Sequence, residues 1–373
     1  MNQEPYTNNL EGKPNPKPRP KPNRNDPLTI LKTRKQTHGR PATIAGPMVR
    51  YSKLPFRLTC KHYNTDIVYT PMILAREYVR NPMARISDFS TNTIEGENEA
   101  KNEDEDLPLV FQVGVNNVTD LLRVCEMVCP YVDAVSINCG CPIKEQVREG
   151  IGSALIFNEE LLVEMVSKVK AKYGDKLRLE TKIRIHERKT PYRTLELCKR
   201  LCKAGVDWIT VHGRLRTMRS SDAVDLDAIK FLVDGLKADE ACRDVPIVAN
   251  GDCFTLQDME RIAEYTGADG IMSARGLLDN PALFAGYTQC PWGCLERFIY
   301  YFIESGGLPF QLLQHHVHCM LSSMRAPKNI LKQVMSHSSL PELLDWLDTN
   351  FVIKRYGEQG FGESVDIQYR LTT

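Results

Sequence analysis

Residues 177–213 read LRLETKIRIHERKTPYRTLELCKRLCKAGVDWITVHG and show the pattern that decides the fold. Two apolar runs, 177–185 and 206–213, flank a helix-like stretch that begins at Pro191 and ends near Ala204. Short apolar runs between turn residues predict buried strands. A strand, a helix and a second strand in this order predict a βαβ unit with parallel strands.

The same pattern recurs from Pro41 to about Pro281. Helix-like segments such as 117–129 and 158–173 alternate with six further apolar runs. Those runs are PATIAGPM (41–48), DIVYTPM (66–72), LPLVFQVG (107–114), VDAVSIN (132–138), VPIVANGD (245–252) and ADGIMSARG (268–276). Eight such units with apolar strands predict an α/β fold, a (β/α)8 TIM barrel, and a doubly wound sheet is the alternative.

The first 40 residues differ in composition from the rest of the chain. Residues 1–40 contain 9 basic and 3 acidic side chains and 7 of the 22 prolines. Such a segment cannot bury an apolar core and favours extended polyproline conformations. We therefore predict a disordered, flexible N-terminal tail over 1–40. The tail is either only solvated or makes non-specific contact with a polyanion.

The chain after the last predicted strand has helical patterning. Apolar residues at three-to-four spacing occupy 310–324, and two similar stretches lie near 330–334 and 340–351. We therefore expect the barrel to cover 41–287 and a small helical extension to cover 288–373.

The composition excludes several classes of protein. The chain has 373 residues, of which 42% are hydrophobic and 25% charged, and its formal net charge is +1. No apolar run approaches the length that spans a bilayer, so we expect no membrane partner. The 12 cysteines are scattered and do not resemble a secreted disulfide framework, which favours a reducing compartment. We expect a cytoplasmic monomer, with the nucleus as a second location.

Polar side chains crowd the predicted carboxyl ends of the strands, where barrels of this class place their active sites. An unpaired Lys or Arg at such a position is costly, so Lys182 and Arg184 predict an anionic ligand. The loops NGD (250–252) and ARG (274–276) fit a phosphate corner. Lys182 suits a ring that gains negative charge on reduction, and Gln112 can bond a heterocycle edge. Together these groups suggest FMN.

Eight motifs carry a resemblance to a known family. They are AGPM, FQVG, INCGCP, IGSAL, KIR, VHGR, NGD and ARG, and they occur over 42–284 in the order and spacing of the tRNA-dihydrouridine synthases. Within that family the chain is most similar to the eukaryotic branch that modifies the adjacent D-loop positions 20a and 20b. The resemblance implies an enzyme that uses FMN and NADPH to reduce the C5–C6 double bond of uridines in tRNA.

The resemblance also implies roles for individual residues. Hydride would pass from flavin N5 to uracil C6, and the thiol of Cys141 would protonate C5, which requires that the thiol stay protonated. The positions that match FMN contacts are Pro47, Met48, Val49, Gln112, Lys182, His212, Asn250, Gly251, Asp252, Ala274 and Arg275. Substrate contacts are expected from Asn138, which would orient the uracil, and from Lys144, Arg148 and Arg184. Further positive charge for RNA is expected from the C-terminal helices and from Arg214, Arg216 and Arg219.

Two residues depart from the family pattern. Cys139 stands where many members have Met, and Ala274 stands where many have Gly. In an extended segment, side-chain alternation turns Cys139 away from the ligand side. The backbone N–H of Ala274 remains available at the phosphate corner.

Other interpretations of the sequence stay open. Cysteines and histidines between 290 and 319 match no common zinc spacing, so we assign no metal site. A flavin reductase of small molecules, of the dihydroorotate or enoate type, is one alternative function. A catalytically silent RNA-binding protein is the other.

Overall fold

Parallel strands close into a barrel, and the computed structural model describes residues 26–90, 108–306 and 308–370. In chain order the strands are β1 (Ala42–Ala45), β2 (Ile67–Tyr69), β3 (Ile73–Leu74), β4 (Leu109–Gly114), β5 (Ala134–Cys139), β6 (Arg178–Ile185), β7 (Trp208–Leu215), β8 (Ile247–Asn250) and β9 (Gly270–Ser273). The ring closes because β2 pairs with β4 and β1 pairs with both β2 and β9. The short β3 extends the pairing of β4.

Helices follow the strands and cover the barrel. Their bounds are α1 (Pro27–His38), α2 (Leu54–His62), α3 (Ala75–Arg80), α4 (Pro82–Asp88), α5 (Val118–Val128), α6 (Lys144–Arg148), α7 (Glu159–Tyr173), α8 (Tyr192–Lys203), α9 (Leu226–Lys237), α10 (Leu256–Thr266), α11 (Arg275–Asp279), α12 (Trp292–Ser305), α13 (Phe310–Ser323), α14 (Lys328–Ser336) and α15 (Leu340–Asn350). The helix α9 is an example of an amphipathic helix that packs on the barrel. Asp225 caps its first turn, and its buried face consists of Ile229, Leu232, Val233 and Leu236. Among the described residues, no helix has both the length and the apolar character needed to cross a bilayer.

The predicted (β/α)8 barrel is confirmed. Each of the eight apolar runs overlaps one barrel strand, and all the strand pairs are parallel. The strands are buried along almost their whole length, because helices cover their outer faces and the barrel packs their inner faces.

The predicted tail extends too far, because α1 lies inside residues 1–40. Ile30 and Leu31 of α1 are buried in one cluster with Ile44 and Trp208 of the barrel strands. Asp26, just before α1, accepts two hydrogen bonds from the Arg178 guanidinium at 3.0 and 3.1 Å. The helix α1 therefore belongs to the fold and closes the amino-terminal end of the barrel. The rest of the predicted tail, residues 1–25, lies outside the described residues.

The C-terminal helices include the three that the sequence predicted and a fourth, α12, that it did not. α12 packs against α2 and is held by the last described segment of the chain, 351–370. The Glu296 carboxylate on α12 accepts hydrogen bonds from the backbone N–H groups of Lys354 and Gly362 at 2.9 and 2.8 Å. This packing attaches the helical extension directly to the barrel.

Candidate active site

Neighbouring strands bring the predicted site residues to one level at the carboxyl end of the barrel. Across the strand pairs, Asn138 lies opposite Lys182, and His212 lies opposite both Arg184 and Asn250. Alternate residues of a strand share a face, so Lys182 and Arg184 point to the same side of β6. The site is therefore built from the ends of several strands, as the sequence predicted.

Lys182 is a buried cation with few partners. Its Nζ donates to Asn250 Oδ1 at 2.7 Å, and Asn250 in turn donates to the Met272 carbonyl at 3.0 Å. Burial lowers the pKa of Lys182 to about 8, although the Glu180 carboxyl acts in the opposite direction. An ammonium group has three donors, and the described residues supply one acceptor. This cation can therefore accept an additional electron-rich ligand.

Gln112 and Asn138 form an amide pair that holds the loop after β5. Asn138 Nδ2 donates to Gln112 Oε1 at 2.7 Å, and Gln112 Nε2 donates to Ser136 Oγ at 3.2 Å. Asn138 Oδ1 accepts the backbone N–H groups of Gly140 and Cys141 at 3.1 and 2.9 Å. The amide pair thereby fixes the start of the Cys141 loop and leaves one N–H of Asn138 for a ligand.

Cys141 has the environment of a thiol that stays protonated. Its side chain is half-buried, and desolvation raises its pKa above the usual value, despite opposing effects from the Ile143 backbone, Arg184 and Lys182. Ser153 N donates to the Cys141 carbonyl oxygen at 2.9 Å. A Cβ on Gly152, whose φ is +66°, would lie 2.6 Å from that oxygen. The IGSAL motif thus packs closely against the thiol-bearing loop.

Cys139 lies in a different environment, two residues before Cys141. It is completely buried in the main hydrophobic core together with Leu155. Burial raises the pKa of the Cys139 thiol, so this group is an inert core residue at neutral pH.

The loop after β8 folds around an ion-pair network. Asp252 accepts two hydrogen bonds of 2.6 Å from Arg214 Nη2 and one of 2.8 Å from Arg275 Nη2. Partial burial opposes ionisation of Asp252, but these donors and Val224 N outweigh it and lower the pKa of the carboxyl. Gly251 has a φ of +136°, and a Cβ there would lie 2.6 Å from Val224 Cγ2.

The loop after β9 requires the glycine that follows Ala274 and Arg275. A Cβ on Gly276 would lie 2.4 Å from the Cys253 carbonyl oxygen, so the two loops approach closely. The Arg275 guanidinium lies 5.1 Å from the Phe254 ring centre and is 42% exposed, so it can also reach a bound anion.

His212 is a neutral imidazole at the mouth of the barrel. Burial and the surrounding cations Lys182, Arg184, Arg214 and Arg275 lower its pKa well below the usual value. Arg214 Nη1 approaches His212 Nε2 at 3.0 Å, so Nε2 acts as the acceptor and Nδ1 carries the hydrogen. His212 can therefore donate one hydrogen bond to a ligand.

Two arginines predicted to contact RNA are buried at the mouth. Arg214 is 1% exposed and is held by Asp252 and the Asp222 carbonyl, because β7 continues to Leu215 and keeps Arg214 on the inner face. Arg184 is 6% exposed and donates to the carbonyl oxygens of Gly140 and Leu215 at 2.9 and 2.7 Å. Both side chains connect loops at the mouth, and their contact with RNA stays a prediction.

The remaining predicted contacts lie at the rim. Lys144 and Arg148 are exposed on α6, a few residues after Cys141. Pro47 and Met48 are partly buried after β1, while Val49 is 41% exposed. These positions can face a bound ligand.

Glu180 is an ionisable residue of the barrel interior that was not predicted from the sequence. It is completely buried inside the barrel, and burial raises the pKa of its carboxyl. The hydroxyls of Ser136, Thr210 and Tyr69 lie close enough to oppose that shift, yet no described residue makes a hydrogen bond of normal geometry to either oxygen. An acidic residue two positions before Lys182 on an apolar strand was the available signal.

The cysteines and histidines near residue 300 do not converge. Cys290 and Cys294 lie in the core near Cys60, whereas the ring of His316 lies near those of Phe56 and Phe298. Among the described residues, no cluster of three or more His, Cys, Asp or Glu side chains could hold a metal ion. All twelve cysteines are described, and none forms a disulfide.

Comparison with known proteins identifies relatives that span nearly the whole chain. A family model described as Dihydrouridine synthase (Dus) matches residues 43–371. The tRNA-dihydrouridine(20a/20b) synthase of Saccharomyces cerevisiae is 61% identical over 345 residues, which are 92% of this chain and 89% of the relative. The Schizosaccharomyces pombe protein of the same name is 46% identical, over 91% of this chain and 96% of its own length.

A human relative is more distant but equally extensive. It is named tRNA-dihydrouridine(20a/20b) synthase-like and is 34% identical over 333 residues, which are 88% of this chain and 96% of the relative. With a closed barrel, a thiol at its mouth and a family model that matches most of its length, this chain belongs to the dihydrouridine synthase family.

Proposed function

We propose that this protein is a tRNA-dihydrouridine synthase that reduces the uridines at positions 20a and 20b with NAD(P)H as reductant. The S. cerevisiae and S. pombe relatives carry these positions and this coenzyme in their names. The observation that carries the proposal is the Cys141 thiol, which is half-buried, protonated and held at the mouth beside Lys182.

The residues at the mouth fit FMN as the cofactor. The Lys182 ammonium group has hydrogen-bond donors that no acceptor among the described residues uses, and His212 has one N–H group to donate. Arg275 and the backbone of 250–252 would face the phosphate, and Pro47 to Val49 would lie against the ring. When bound and reduced by NAD(P)H, FMN would supply a hydride for uracil C6.

The side chains of this protein would hold the uracil and complete its reduction. The free N–H of Asn138 would donate to a uracil carbonyl oxygen, while Gln112 keeps that amide oriented. The Cys141 S–H would transfer its proton to C5, and the thiolate would regain a proton from solvent because the side chain is half-exposed. Arg184 would keep the loop in place through the Gly140 carbonyl.

Recognition of tRNA would use the rim and the C-terminal extension. Lys144 and Arg148 are exposed near Cys141, and local positive charge is what phosphate binding requires. A uridine in a loop can leave its stack without the opening of a stable duplex. We retain the cytoplasm and the monomeric state as predictions.

The experiment that tests this function compares tRNA from cells with and without the protein. Dihydrouridine at 20a and 20b should disappear in the deletion strain and return with the wild-type chain. Purified protein should be yellow, and NADPH should bleach it. Dihydrouridine that persists at both positions, or a colourless protein that FMN does not reconstitute, would refute the proposal.

A Cys141→Ala variant tests the role of the thiol. It should bind FMN and oxidise NADPH normally, yet form dihydrouridine about 10²–10⁴-fold more slowly, because only the proton donor is missing. Cys139→Ala is the matched control and should keep normal product formation. Normal product from Cys141→Ala would assign the proton transfer to another group.

A further inference from the structure

A groove of about 1270 Å³ lies between the barrel and the helical extension. The loops after β1 and β2 form one wall, and α13 with the segments beside it forms the other. Apolar side chains such as Leu54, Met72 and Leu312 line much of it. The volume far exceeds what a single buried side chain would fill, so the groove can hold a ligand of several ring systems.

Two of the residues that line the groove belong to segments of the candidate active site. They are Val49, expected at the flavin ring, and Gln146, five residues after Cys141. None of the lining residues in the described chain comes from β6, β7, β8 or β9. A ligand chain leaving the active site can therefore enter the groove in one direction, and its opposite end must leave elsewhere.

The groove contains an aromatic pair of the kind that binds nucleobases. The ring centres of Tyr51 and His315 are 4.8 Å apart, with an angle of 34° between the planes. Burial and the nearby His318 lower the pKa of His315, although Asp279 opposes this shift, so the imidazole is neutral at physiological pH. Neutral aromatic faces stack on any base without reading its sequence.

A cation stands beside this aromatic pair. Arg50 is exposed, lines the groove and has a φ of +71°, which is unusual for a residue other than glycine. No described residue makes a hydrogen bond or ion pair with its side chain. A free guanidinium next to stacked rings suits a phosphate attached to a base.

We propose that this groove binds the nucleotide adjacent to the uridine being reduced, with its base on Tyr51 and His315 and its phosphate near Arg50. This inference rests on the proposed function, in which one active site reduces two adjacent uridines. Every uridine inside a tRNA chain has a nucleotide on each side, so the groove would hold the neighbour on the same side whether position 20a or 20b is being reduced. Aromatic faces stack on any base, so the groove would serve both positions.

The test measures the initial rates of dihydrouridine formation at 20a and 20b separately, with the full chain, FMN, NADPH and unmodified tRNA. Tyr51→Ala and His315→Ala should lower the rates at both positions by roughly tenfold, since base stacking on an aromatic residue is worth that much. The rate at which NADPH reduces the FMN should stay within about twofold of the wild-type rate. Tyr51→Phe retains the ring and should keep the wild-type rates.

Two controls separate this proposal from folding and from the proposed function. Tyr173→Ala removes a tyrosine at the opposite end of the barrel and should leave both rates unchanged. The FMN spectrum and thermal unfolding of each variant report on folding. Wild-type rates in both groove variants, or an equal loss in Tyr51→Phe, would overturn the neighbouring-nucleotide site. Absence of dihydrouridine with the wild-type chain would instead refute the function itself.

Discussion

At the scale of single residues, Lys182 makes the binding of FMN dependent on pH. Its pKa of about 8 means that the ligand-free protein loses this charge as the pH rises past 8. We therefore expect the Kd for FMN to increase between pH 7.5 and 9, as measured by quenching of flavin fluorescence. Lys182→Met should bind FMN more weakly and lack this step. If the Kd of Lys182→Met for FMN rose by the same factor between pH 7.5 and 9, the pH dependence would belong to another group.

The lowered pKa of Lys182 also makes the stability of the folded protein depend on pH. The unfolded chain holds its lysine proton up to the ordinary pKa near 10.4, whereas the folded chain releases it near 8. Burial of the charged form therefore disfavours folding below pH 8, and this penalty declines as the pH rises from about 8 to 10.

Glu180 provides a second test of this electrostatic coupling. Its carboxyl raises the pKa of Lys182, so Glu180→Gln should lower that pKa further. The FMN-binding step should then move to lower pH, while the amide preserves the volume of the buried side chain. Thermal unfolding monitors the fold of the variant. An unmoved step would show that Glu180 is already protonated in the native protein.

At the scale of elements, the 152–157 turn controls the position of the Cys141 loop. Gly152→Ala should slow dihydrouridine formation at least about tenfold, because its Cβ would lie 2.6 Å from the Cys141 carbonyl oxygen. Gly150→Ala is the matched control, since φ is +77° there but no atom lies within 4 Å of the new Cβ. FMN affinity, measured by fluorescence, should change little in both. Equal losses of activity would point to backbone strain rather than to displacement of the thiol.

The elements also show what the sequence can predict. Apolar runs identify all eight barrel strands because both faces of each strand are buried. The helix α1 was not predicted, because its sequence has no apolar residues repeating along one face. Its few buried side chains, among them Ile30 and Leu31, are buried by the barrel strands. α12 was not predicted either, although Leu295, Phe298 and Phe302 lie on its buried side and Arg297 and Glu304 on its more exposed side.

The candidate site is predictable where side chains leave strands at fixed spacing. Cys141, Lys182 and Asn250 lie together as expected, since the register of parallel strands brings their ends to one level. The positions of Arg184 and Arg214 could not be predicted, because an arginine is long enough to turn inward and bond backbone carbonyls.

At the scale of the whole molecule, two truncations separate the basic tail from α1. Deletion of residues 1–25 removes 5 basic and 2 acidic side chains and should weaken tRNA binding modestly and flatten its salt dependence. The choice of uridine should not change, since flexible Lys and Arg contact phosphates without reading sequence. Titrations at several salt concentrations measure both effects, and identical slopes would show that these residues do not contact tRNA.

Deletion of residues 1–40 should have a different outcome. It also removes α1 and with it the buried side chains of Ile30 and Leu31. Loss of such core side chains costs about 2–5 kcal/mol each, so the melting temperature should fall sharply. A melting temperature equal to that of the shorter truncation would show that α1 contributes little to the barrel.

The closure of one end of the barrel by α1 has a kinetic consequence. Ile30, Leu31 and Trp208 fill the amino-terminal end, so small molecules and RNA can reach the interior groups only through the opposite opening. Under the proposed function, the reductant and the tRNA must then take turns at a shared entrance. Each should slow the reaction of the other when present in excess, and the enzyme should alternate between a reductive and an oxidative half-cycle.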